Sequence, residues 1–186
     1  MIVSPYRIIN EKWLTHPKMS SIEDFKKHNH LSPNAIDVTL DRAFLLSDND
    51  HFSLSETKKE MRSSTELFPT LPTLATDPMF SIPPNTCIDA MSHFYVKVPQ
   101  GYSAWLIVRS SLNRNGLFVT SGWYDQGFEG NVGFMIHNNG PRASIAPGTR
   151  VAQLIFTTAE DSNILYAGGY NHEQGTHWSG AAEGRA

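Results

Sequence analysis

"GWYDQGFEGNVGFMIHNNG", residues 122–140, joins a Gly-rich turn carrying two carboxylates, Asp125 and Glu129, to an alternating apolar run. In that run Val132, Phe134 and Ile136 share one face, while Gly133, Met135 and His137 share the other. This is the period-two pattern of a half-buried strand. Whether the turn holds a catalytic acid or is only a polar corner depends on what stands around it.

Working outward, similar short apolar runs separated by Pro, Gly and Asn continue from about residue 35: "AIDVTL" (35–40), "HFYVKV" (93–98), "SAWLIV" (103–108), "GLFVTS" (116–121), "RASIA" (142–146) and "RVAQLIFT" (150–157). The pattern predicts an all-β domain. The first 30 residues read as partly helical: in "SSIEDFKKH" (20–28), Ser20 or Ser21 is placed to cap a short helix with Glu23 and Asp24 in its first turn. Residues 47–83 are polar and Pro-rich with little periodicity, which predicts a long excursion from the sheet, a flap or an insertion. The closing "SGAAEGRA" has the composition of a loose tail.

A chain of 186 residues is sized for a single domain. With 15 basic and 18 acidic residues and no basic block, it lacks the field that a nucleic-acid surface needs. The sole cysteine, Cys87, allows no intramolecular disulfide, and "MIVSPYRIINEKWL" lacks the features of a secretory signal, so a cytoplasmic protein is expected. No apolar run approaches the roughly 20 residues that cross a bilayer. Zinc of the base-deaminase type needs a Cys-x-x-Cys pair beside a His or Cys and a Glu. Cys87 stands alone, and His28 and His30 of "KKHNHL" read as members of a solvated loop.

Four pieces occur in series: "NAIDVTL" with Asp37; "VRSSLNRNG" with Arg109, Ser110, Ser111 and Arg114; "SGWYDQGFEGNVGFMIHNNG" with Asp125 and Phe128; and "PGTRVAQLIF" with Gln153. In this order they resemble the motifs of the dUTPase and dCTP deaminase superfamily over residues 97–156 and again around 34–44. The resemblance implies a distorted jelly-roll, a homotrimer with sites between subunits, and a deoxypyrimidine triphosphate as substrate.

The two branches of that superfamily use different chemistry. The deaminases move protons with a Glu on the strand after the turn, and here Met135 stands in its place. A thioether carries no proton, so deamination is disfavoured. The dUTPases use the Asp of a Gly-x-x-Asp turn to activate water for attack on the α-phosphorus, and "GWYD" puts Asp125 there. The expectation is therefore a dUTP diphosphatase with Asp125 as base. A dCTP deaminase, a hydrolase of another or modified deoxypyrimidine triphosphate, and a non-catalytic nucleotide-binding regulator remain as alternatives. Asp125 closing the turn on its own backbone is the structural reading of the same residue. Glu129 reads as a solvated corner.

The other roles implied by the resemblance follow the charge of a triphosphate. Arg109 is a phosphate fork or a bridge between subunits; Ser110 and Ser111 donate hydroxyls; Arg114 matches an Arg of the deaminase branch. Gln153, a polar residue within an apolar run and sharing a face with Val151 and Ile155, calls for a specific partner. Gly122 lets the backbone approach a pyrimidine edge, with Trp123 beside it. Phe128 lies under the deoxyribose and leaves no room for a 2′-hydroxyl. Asp37 helps to fix the waters of a Mg²⁺ ion. The C-terminal segment 166–186, with "YAGGYNHEQGTHWSG", is similar to the deaminase tail that closes over the phosphates, which makes Tyr170, Gln174 and His177 lid contacts. Val108 before Arg109 and Gly169 near a basic lid position depart from the family pattern.

Overall fold

The computed structural model describes residues 1–55, 58–72 and 76–171. In chain order the elements are α1 (Pro5–Asn10), β1 (Leu14–Thr15), α2 (Ile22–Lys27), β2 (Leu31–Ser32), β3 (Ala35–Leu40), β4 (Arg42–Leu46), β5 (Ser53–Leu54), β6 (Lys59–Glu60), β7 (Ser64–Leu67), β8 (Phe80–Ile82), β9 (Thr86–Lys97), β10 (Tyr102–Val108), α3 (Ser110–Asn113), β11 (Leu117–Thr120), β12 (Glu129–Asn138), β13 (Ala143–Ile145) and β14 (Thr149–Thr158). The fold is all-β, with three short helices among the described residues, in the jelly-roll manner of two antiparallel sheets closing on one core.

The larger sheet runs β11-β12-β9-β4-β7, with β1 pairing β9; the smaller runs β10-β14-β3-β2. Ile36, Val38 and Leu40 of β3 and Leu154 and Phe156 of β14 face Ile88, Phe94 and Val96 of β9 and Phe134 and Ile136 of β12, all buried. The stretch that opened the sequence reading becomes β12, in which Val132, Phe134 and Ile136 are buried and Gly133, Met135 and His137 half-buried. Alternation alone placed this strand correctly because only one of its faces reaches the core.

The N-terminal segment holds two helices rather than one. Ser21 caps α2 in a reciprocal capping box with Asp24, whose side chain accepts from the Ser21 backbone N–H at 3.0 Å. The earlier helix, α1, starts on Pro5, whose missing N–H costs nothing at a first helical position.

Residues 47–83 are woven into the fold more than a flap would be. β7 pairs with β4 at the edge of the larger sheet and β8 pairs with β13, while β5 and β6 pair with each other. Their short length hid them, since three or four residues carry little periodicity. His30 differs from its expected solvated setting: it is buried, and its Nδ1 donates to the Asp37 carbonyl at 2.7 Å.

Candidate functional site

The turn between β11 and β12 is built against β10. The backbones of Tyr124 and Ala104 exchange two hydrogen bonds of 2.9 Å, and the Trp123 ring stacks on Trp105 with centroids 5.2 Å apart and planes 5° from parallel. The Tyr124 side chain turns inward and its hydroxyl donates to the Gly133 carbonyl at 2.8 Å. Burial pushes this phenol well above its ordinary value. The Phe128 N–H donates to the Asp125 carbonyl at 3.0 Å, closing a four-residue turn whose third position, Gly127, has a φ of +84°, which glycine adopts without strain.

The chain after β14 returns to this turn. Gln126, buried, ties it down: its Nε2 donates to the Ile164 carbonyl at 2.7 Å and to Ser162 Oγ at 3.1 Å, its Oε1 accepts from the Gly101 N–H at 2.9 Å, and its carbonyl accepts from the Tyr166 N–H at 2.9 Å. Farther on, Asn171 Oδ1 accepts from the Glu129 N–H at 2.8 Å. Between this strap, the turn and the outer face of β12 and β9 lies a cleft of about 390 Å³. Gly122, Trp123, Tyr124 and Phe128 line it from the turn, Met91, Gly133 and Met135 from the sheet, and Tyr166 and Tyr170 from the strap. Neither a carboxylate nor an imidazole nor an amine stands among its described lining residues.

Asp125 is exposed and sits in the chain between two lining residues, Tyr124 and Phe128, without itself lining the cleft. Its backbone carbonyl, not its carboxylate, closes the turn. Glu129 is less solvated than a free corner: its carboxylate takes the Tyr95 hydroxyl at 3.2 Å and the Lys97 ammonium at 3.2 Å.

A second polar group gathers at the far end of β10. Asp37 is 2 % exposed, and its Oδ2 accepts from Arg109 Nη1 at 3.3 Å and Arg150 Nη1 at 3.2 Å, while its Oδ1 is buried without a hydrogen bond. Arg150 also donates to the Asn29 carbonyl. Gln153 Nε2 donates to Ser32 Oγ at 2.9 Å, so the polar residue in the apolar run has its partner; the face it shares is that of Ile155 and Thr157, because a β-bulge between Arg150 and Ala152 turns Val151 inward. Ser110, Ser111 and Arg114 are exposed in and just after α3. From Ala104, which pairs with Tyr124, to Arg109 the strand advances about 3.3 Å per residue, roughly 17 Å in all. One chain therefore does not bring Ser110 or Ser111 to Asp125, while Gln153, opposite Ile107 and about 10 Å along the strand from Ala104, is engaged by Ser32.

The Mg²⁺ implied by the resemblance was tested against these donors. Asp37 lies between two guanidinium groups, the setting of a carboxylate held by cations rather than one that holds a cation. Among the described residues there is also no group of three or more His, Cys, Asp or Glu placed to hold a metal. The described residues do not fit a resident ion.

Gln126 and Arg150 were not singled out from the sequence, nor was Tyr166. Gln126 sits beside a motif Asp in a turn, where polar residues are ordinary, and Arg150 lies at the start of β14 with its partner Asp37 113 positions away in sequence. Gln174 and His177 lie outside the described residues. No helix among the described residues is long and apolar enough to cross a membrane.

A family model described as dCTP deaminase-like matches residues 10–159. A dCTP deaminase, dUMP-forming, of Persephonella marina is 33% identical over 149 residues, covering 78% of this chain and 80% of that one. A probable deoxyuridine 5′-triphosphate nucleotidohydrolase of Halobacterium salinarum is 29% identical over 148 residues, covering 78% and 86%. The crystal structure of 2′-deoxycytidine 5′-triphosphate deaminase from Agrobacterium tumefaciens superposes with a TM-score of 0.62 at 12% identity, over 85% of this chain and 48% of that chain. That likeness is one of fold, and this chain spans about half the length of that protein. With a family model over most of its length, on a jelly-roll whose turn, arginine–serine and glutamine motifs stand in the superfamily's order, the chain belongs to the dCTP deaminase-like family of the dUTPase and dCTP deaminase superfamily.

Proposed function

We propose that the protein is a dUTP diphosphatase: dUTP and water give dUMP and pyrophosphate, with the cleft taking the nucleoside and Asp125 activating the water that attacks the α-phosphorus. The observation that carries this reading is the chemistry of the cleft wall. Exchange of an amino group on a cytosine ring needs a group beside the ring to carry protons, and the described residues that line the cleft, Met135 among them, include no carboxylate, imidazole or amine; Asp89, opposite Met135 on β9, is buried and does not line it. The carboxylate of Asp125 instead stands outside the wall, exposed and without a side-chain partner among the described residues, where it is free to meet a water and a phosphate.

The cationic and hydroxyl groups that a triphosphate needs come from a second copy of the chain. Arg109, Ser110, Ser111 and Arg114 lie too far from their own turn to serve it, and Gln153 is held by Ser32, so a homotrimer that sets this end of one subunit beside the cleft of the next completes the site. Gly122, where a Cβ would meet nothing within 4 Å, leaves the turn's backbone open to the pyrimidine edge. Phe128 packs beneath the sugar. Magnesium arrives as part of the substrate, the magnesium salt of the nucleotide.

The test is to incubate the protein with dUTP, dCTP and UTP and resolve the products. Pyrophosphate and dUMP from dUTP, lost in Asp125→Asn with the fold intact, support the proposal. Ammonia from dCTP defeats it, and tight binding of dUTP without product points to a regulator.

A further inference from the structure

We propose that Tyr166, held in place by Gln126, sets the discrimination between deoxyribose and ribose by buttressing Phe128, an inference that rests on reading the cleft as a nucleotide site. Phe128 is buried between two edge-on aromatic contacts: Tyr124 at 5.2 Å and 62° on one side, Tyr166 at 5.4 Å and 66° on the other. Tyr124 belongs to the core, but Tyr166 arrives on the strap. Each such contact fixes ring orientation as well as adding attraction.

The strap is built to keep Tyr166 there. Its backbone N–H is bonded to Gln126, and the residue before it, Leu165, fills the space where a side chain at Gly127 would stand: a Cβ at 127 would lie 2.9 Å from the Leu165 Cβ. A Cβ at Gly168 would overlap the hydroxyl end of the Tyr166 ring, so the ring lies against backbone that only glycine allows so near. With Tyr166 seated, Phe128 is held by two edge-on rings while it lines the cleft, and without Tyr166 one of those two supports is gone. A rigid ring excludes an added hydroxyl by a clash, whereas a ring that can tilt makes room for it.

The test measures kcat/KM for dUTP and UTP in the wild type and in Tyr166→Ala, Tyr166→Phe and Gln126→Glu. Tyr166→Ala is expected to lower the dUTP to UTP ratio by about tenfold, the scale of one aromatic contact, chiefly by raising the UTP value. Tyr166→Phe keeps the ring and the ratio. Gln126→Glu should match Tyr166→Ala, because a carboxylate cannot donate to the Ile164 carbonyl and faces Asp161, and near-UV circular dichroism checks that each variant is folded. A ratio within twofold of wild type in Tyr166→Ala, or an equal fall for both nucleotides, overturns the inference. If the wild type binds dUTP without turning it over, the hydrolase reading fails, and competition binding of dUTP against UTP gives the same ratio. If it binds neither, both fall.

Discussion

Replacing Asp37 by Asn removes one charge and almost no volume, and its effect follows from the geometry around it. Two guanidinium nitrogens lie 3.3 and 3.2 Å from the same carboxylate oxygen, so they are no more than about 6.5 Å from each other. Without the anion, two cations at that separation repel by roughly 2–3 kcal/mol at an effective dielectric of about 20. Breaking a buried pair by removing one partner costs about 3–5 kcal/mol. Arg109 and Arg150 keep 28% and 34% of their side-chain exposure, so water relieves part of that, and we expect a net loss of roughly 2–4 kcal/mol. For a chain of this size each kcal/mol shifts Tm by about 2–4 °C, which puts the variant on the order of 4–16 °C below wild type. Urea unfolding of both proteins measures it, with the midpoint falling and the slope unchanged. A loss under about 1 kcal/mol at an unchanged slope would refute the reasoning, because the two arginines would then be solvated individually rather than gathered by Asp37.

Gly127→Ala forces a side chain into a positive φ and against Leu165, so it should lose about 1–2 kcal/mol of stability and raise KM for dUTP as the strap is displaced; a variant as stable as wild type with unchanged KM would contradict the packing. Burial lowers the His30 and His16 pKa values from their ordinary 6.5, with Arg150 adding to the effect at His30 and neighbouring His30, His93 and Lys18 at His16, against the opposing pull of Asp37 and Asp41. The unfolded chain therefore takes up protons first, and stability should fall as the pH drops below about 6.5 until the buried rings protonate. Urea midpoints at pH 7.5 and 5.5 check this, His30→Gln should flatten the slope, and a stability that is level or rising on acidification would count against it. The wild type should release no ammonia from dCTP, and only a cleft given a proton carrier, as in Met135→Glu, has the means to do so. Ammonia from the wild type would place the proton carrier elsewhere.

Most of the longer strands and the Gly122–Asp125 turn were legible in the sequence for one reason: each is set by neighbours in the chain, although of β9 only residues 93–97 were read as strand. Val132, Phe134 and Ile136 announce a buried face by alternation, Ser21 and Asp24 announce a helix start three residues apart, and Gly122 with Asp125 announce a turn. What escaped depends on groups distant in sequence. Arg42–Leu46 is a strand because β9 and β7 flank it, and β7 is too short to show a period of its own. Gln126 looks like any polar turn residue until residues 161–166 return to cover it. His30 reads as solvated among Lys27, His28 and Asn29, yet it is buried because its ring packs edge-on against Phe25 and Phe94. The same limit applies to the site. The four motifs were visible, but their separation into a cleft at one end of β10 and an Asp37-centred cluster at the other required the fold.

The proposed hydrolysis places water's attack at the α-phosphorus, and reaction of dUTP in H₂¹⁸O reads the attacked atom directly by mass spectrometry of the products. Attack at the α-phosphorus predicts ¹⁸O in the phosphate of dUMP and none in pyrophosphate, with turnover abolished in Asp125→Asn. Label in pyrophosphate, or full turnover in Asp125→Asn, would contradict it.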